Sequence, residues 1–75
     1  MPEQKTLAEI KIGKKAVVIG FTDDVLALKF LEMGLLPGSE VTVSHVAPFG
    51  DPIAINMNDY LLAIRKDEAI TVLVI

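Results

Sequence analysis

A small, mainly β domain of about five antiparallel strands, with one short α-helix after the first strand, is the fold class that this sequence predicts. Three observations carry the prediction. Short runs of alternating or doubly apolar residues recur at 15–21, 40–46, 53–57, 60–64 and 70–75. Helical periodicity is sustained only between Asp24 and Met33. Three of the five glycines and three of the four prolines fall between Leu31 and Pro52, so the turns are concentrated in one third of the chain.

Met1 to Lys5 is polar and reads as a frayed tail ahead of one domain that spans 1–75. Thr6 and Glu9 have capping-box spacing, which predicts a single helical turn. Gly13 marks a turn. Lys15 to Phe21 follows as a strand with no charge on either face beyond its first residue, which predicts cover on both sides. Asp23 or Thr22 can cap the helix over Asp24 to Met33. Its expected buried face holds Leu26, Ala27, Phe30, Leu31 and Met33, with Lys29 and Glu32 paired on the other side.

Gly34 is placed to end that helix with a positive φ. Pro37-Gly38 fits a tight turn. Glu40 to Val46 alternates, but Val46 breaks the phase, which predicts a bulge near His45. Pro48 and Pro52 stiffen a second turn, Ala47 to Pro52. Ile53 to Ile64 reads as a hairpin about Asn58-Asp59, in the register Met57 to Tyr60, Ile55 to Leu62 and Ile53 to Ile64. Slipping by one residue would bury Asn56. Arg65 to Ala69 is one helical turn, and Ile70 to Ile75 a last strand too apolar to sit at an edge. Pairing it with the first strand would close or strongly bend the sheet.

Composition narrows the function. The chain has 75 residues, 52% of them hydrophobic, no cysteine and a net charge of −3. Disulfides and thiolate metal sites are excluded, and so small a core leaves room for a weak homo-oligomer or a partner. The acidic balance and the small basic groups Lys14-Lys15 and Arg65-Lys66 argue against nucleic acid. There is no signal-peptide core and no apolar run near the ~18 residues needed to span a bilayer. A cytoplasmic protein is expected.

Catalytic chemistry is poorly provided for. His45 is the only histidine and lacks a tuning partner in its vicinity. No serine or threonine has a flanking base, and no Gly-rich phosphate loop is present, so an enzyme is not expected. Asp23-Asp24, Asp51, Asp59 and Asp67-Glu68 do not have calcium-loop spacing and each fits a cap, a turn or solubility. Met33 and Met57 fall on apolar faces and read as core. Neither a metal site nor a cofactor is expected. What remains is a surface. Leu35, Leu36 and Phe49 lie in turn segments, where they either plug the open ends of a barrel or form a docking patch.

Phe30-Leu31-Glu32-Met33-Gly34-Leu35, Pro37-Gly38, Val41, Val43 and Ala47-Pro48-Phe49-Gly50-Asp51-Pro52 together resemble the FeoA family, ferrous iron transport protein A. Tyr60, Leu62 to Lys66, Glu68-Ala69, Leu7 and Gly13 fit as well, so the resemblance runs from about Leu7 to Val74. The family often has arginine where Lys29 stands and glycine near Asp59. The resemblance implies an SH3-like barrel and a non-enzymatic accessory protein of bacterial ferrous iron uptake. Its implied partner is the membrane permease FeoB, met through that protein's cytoplasmic G-protein domain, with membrane association through the partner only. The contact surface expected on this basis is Met33, Gly34, Leu35, Leu36, Pro37, Gly38, Ala47, Pro48, Phe49, Gly50, Asp51 and Pro52. The same domain type closes iron-dependent repressors, which implies an iron-sensing module as the alternative.

Overall fold

The computed structural model describes residues 5–75. It contains six strands, namely β1 (Lys5–Thr6), β2 (Lys15–Phe21), β3 (Glu40–Val46), β4 (Ile53–Met57), β5 (Tyr60–Ile64) and β6 (Val72–Val74). A 3-10 turn, Leu7–Glu9, follows β1; helix α1 (Asp24–Glu32) follows β2; helix α2 (Lys66–Ala69) follows β5. The sheet order is β1-β6-β2-β3-β4-β5, antiparallel throughout. Most of the expected tail, 1–4, lies outside the described residues. Its last member, Lys5, is not frayed, because it pairs with Val74 as an added edge strand.

β2 is the hinge of the sheet. Lys15, Ala16 and Val17 pair with β3, whereas Val18, Gly20 and Phe21 pair with β6. The register shifts between Val18 and Gly20, where glycine leaves the strand free to turn. The sheet therefore bends over itself, with β6 held between β1 and β2 as its apolar composition demands. One core fills the bend. β2 contributes Ala16 and Val18, β3 contributes Val41 and Val43, and β6 contributes Val72 and Val74. Ile53, Ile55, Met57 and Ile64 come from the β4–β5 hairpin in the expected register. Asn58 takes φ 49° at the hairpin turn.

α1 closes one side. Asp23 caps it, its Oδ1 accepting from the Leu26 N–H at 3.0 Å. Phe30 is fully buried and its ring stacks on Phe21, centroids 5.6 Å apart. Two expectations about this helix fail. Leu31 is exposed rather than buried. Lys29 reaches past Glu32 to Glu68 of α2, at 2.6 Å. The reason is tertiary: α2 brings a carboxylate within reach that sequence spacing cannot show. In the 3-10 turn, half the capping box forms, with the Glu9 carboxylate accepting from the Thr6 N–H at 3.3 Å. The Thr6 side chain makes no return bond to the backbone.

Among the described residues, no helix is long and apolar enough to cross a membrane.

Candidate functional site

The segment from Leu31 to Pro52 is built as two rigid turns around β3. The first begins at the end of α1. Met33 is the C-cap that follows Glu32, and Gly34 comes next at φ 89°. The Gly34 N–H donates to Leu31 O at 3.1 Å and the Leu35 N–H to Phe30 O at 2.9 Å. Paired bonds of this kind satisfy the last helical carbonyls and turn the chain sharply. They also drive Leu35 back onto Phe30, and both are fully buried. Tyr60 locks the corner from the hairpin, its hydroxyl donating to Met33 O at 2.7 Å. A Cβ on Gly34 would stand 2.8 Å from that hydroxyl.

Leu36-Pro37-Gly38-Ser39 is a type II turn, with proline first and Gly38 at φ 94°. The Ser39 N–H donates to Leu36 O, and Ser39 Oγ accepts from the Leu36 N–H. Gly38 N–H and Ser39 O then bond to the two polar groups of Val18, fixing the turn to β2.

The second turn, Ala47 to Pro52, is closed by Ala47 N–H to Pro52 O at 3.1 Å and Gly50 N–H to Ala47 O at 2.8 Å. Asp51 Oδ1 accepts from the Lys66 N–H at 3.0 Å, so this loop supplies a cap for α2. Phe49 stands at the tip, 98% exposed. A phenyl ring left wholly in water on a loop tied at three points is the largest fractional apolar exposure among the described residues.

The expected contact surface therefore divides. Leu36, Pro37, Gly38, Pro48, Phe49 and Pro52 are exposed, and Ala47, Gly50 and Asp51 are half-buried. Leu35 is buried and cannot meet a partner, because the chain reversal at Gly34 makes it a plug of the core. Met33 is half-buried against the core, and Gly34 is exposed, with the Tyr60 hydroxyl beside it.

Other apolar exposures were missed. Val25 and Leu28 are 80% and 60% exposed, and with Leu31 they run along the outer side of α1 at three-residue spacing. The signal was present: α1 is apolar nearly all round, and one sheet can cover only one side of it.

Among the described residues, no other group assembles chemistry. His45 is exposed, opposite Ala54. It does not share a face with Val41 and Val43, because the bulge between Val43 and His45 turns it outward. Ser44 Oγ lies 3.4 Å from its Nδ1. Asp24, Asp59 and Asp67 are exposed, and Met57 is core. The Lys29 ammonium and the Arg65 N–H hold the Glu68 carboxyl below the ordinary 4.5. Among the described residues, no three His, Asp or Glu side chains converge where they could hold a metal ion.

Comparison with known proteins matches residues 5–75 to the model of the FeoA domain. An Fe(2+) transport protein A/Fe(2+) transporter FeoB fusion protein of Porphyromonas gingivalis is 33% identical over 64 residues. That match takes in 84% of this chain but only 8% of the relative's length. Among solved structures, a FeoA-like protein from Clostridium acetobutylicum superposes with a TM-score of 0.90 at 37% identity, over 100% of this chain and 88% of that one. The FeoA of Stenotrophomonas maltophilia, crystallised with zinc and described as an SH3 domain protein, gives a TM-score of 0.81 at 31% identity, over 93% of this chain and 88% of that one.

Proposed function

The chain belongs to the FeoA family, and we propose that it is a cytoplasmic, non-enzymatic accessory protein of ferrous iron uptake. It docks on the cytoplasmic G-protein part of a FeoB-type permease and regulates or assembles that permease. The observation that carries this reading is Phe49, an almost wholly exposed ring on a loop fixed by its own turn and by Asp51. Pre-ordered apolar side chains of this sort lower the entropy cost of association. Leu36, 48% exposed on the neighbouring rigid turn, extends the surface. A relative that carries both transport proteins in one chain supports the pairing.

The test is co-purification with the permease's cytoplasmic domain, with and without guanine nucleotide. Phe49→Asp and Leu36→Asp should fold and lose binding about tenfold or more, the loss typical of a buried aromatic or aliphatic anchor. Undiminished binding by both would remove these loops from the interface.

A metal-binding role is the second reading, favoured by the zinc complex of the Stenotrophomonas relative. Within one chain, His45 and the acids are dispersed, so such a site would need ligands from elsewhere. Anaerobic calorimetry with ferrous ion decides it, since saturable binding to the isolated protein would revive this reading.

A further inference from the structure

Away from the two turns lies a groove of about 650 Å³, lined by Lys5, Glu9, Ile10, Lys11, Lys14, Lys15 and Ile75. We propose that this groove and the turn beside it seat the protein on an anionic lipid bilayer. The inference does not depend on the reading above, and it departs from the expectation that membrane association runs through the partner only.

Charge is the first argument. The protein is acidic overall, yet four of its seven cations line this one groove, against a single acid, Glu9. The described remainder has three cations, Lys29, Arg65 and Lys66, and eight acids. Side-chain charge is thus +3 on the groove and −5 elsewhere, a separation that would orient the molecule at an anionic surface. The cations are also available. Lys15 leans on Glu40 at 3.7 Å, but among the described residues Lys5, Lys11 and Lys14 have no ion pair.

Shape is the second. Lys11-Ile12-Gly13-Lys14 is a turn closed by the Lys14 N–H to Lys11 O at 3.0 Å, with Gly13 at φ 84°. Ile12 projects from its crest, 58% exposed, between lysines on both sides. The aliphatic part of the groove lining is Ile10 and Ile75. Ammonium groups on flexible stems around an apolar tip suit the boundary between headgroups and acyl chains. Nucleic acid is the less favoured occupant, since neither an aromatic ring nor an arginine lines the groove.

Sedimentation with vesicles tests the proposal, using equal parts phosphatidylglycerol and phosphatidylcholine against phosphatidylcholine alone. The protein should bind the first and not the second, and release at about 1 M salt, where the screening length falls to about 3 Å. Each lysine at such a surface is worth a factor of about five. Lys14→Glu should weaken binding at least that much, the Lys11→Glu/Lys14→Glu double variant about 25-fold or more, and Ile12→Ser severalfold. Lys66→Glu makes the same change of charge outside the groove and should leave binding within about twofold. Equal losses for Lys14→Glu and Lys66→Glu would overturn the proposal. So would equal binding to both vesicle types, or retention of a single-stranded oligonucleotide without vesicle binding.

Discussion

Single residues carry the corner between α1 and β3. Gly34→Ala places a methyl group at positive φ, which costs about 1–2 kcal/mol, and drives it against the Tyr60 hydroxyl. Thermal denaturation should therefore show a smaller loss for Gly34→Ala in the Tyr60→Phe background than in the wild type. Leu35→Ala opens the core and should cost about 2–5 kcal/mol, whereas Leu36→Ala, one position on, should stay within about 0.5 kcal/mol. That contrast was only half legible in the sequence. The glycine requirement follows from the helical pattern ending at Met33. Which of two adjacent leucines turns inward depends on the carbonyls of Phe30 and Leu31, and so on the final geometry of the helix. Glu68 adds a pH effect at this scale. Its folded pKa lies below 4.5, so its stabilisation is complete above that value and is lost as pH falls through the lower, folded one. The advantage of the wild type over Glu68→Gln, on the order of 1 kcal/mol for a pair whose lysine is half exposed, should shrink on acidification in denaturant titrations.

Elements with a strong local reason to exist were read correctly. β2, β3 and the β4–β5 hairpin have the expected limits, because alternation, turn residues and register agree there. The β3 bulge was also legible from the broken phase at Val46, but its effect on His45 was not, since a bulge reverses the faces beyond it. Links between distant elements left no local trace. Lys29 with Glu68, and Asp51 with Lys66, join parts of the chain 39 and 15 residues apart. The second link makes α2 depend on a loop it does not adjoin. Asp51→Ala should cost about 1 kcal/mol, as lost caps do. It should also speed hydrogen exchange at the Lys66 amide, a change that a purely local loop defect would not produce.

At the scale of the whole molecule, the family was legible in the spacing of Met33-Gly34-Leu35 and Ala47 to Pro52, and the contact surface was not. Composition and the absence of a paired base pointed to binding rather than catalysis. The expected contact residues lost Leu35 to the core, and the exposed face of α1 came only with the fold. A rigid docking loop predicts that Phe49→Asp leaves the melting temperature nearly unchanged while binding falls, since a residue 98% exposed contributes little to the core.

The division of β2 between β3 and β6 also governs how the protein is made. Val18 cannot find Val74 until 56 further residues have been synthesised and have cleared the ribosome. Before then the hairpin and β3 can assemble, but half of β2 stands as an open edge. β1, the earliest of the six strands in the chain, waits longest, because among the described residues it pairs with β6 alone. A nascent chain in this condition offers aliphatic strand edges to its neighbours. Chaperone demand during translation should therefore be high for so small a domain until β6 has emerged and paired with β1 and β2.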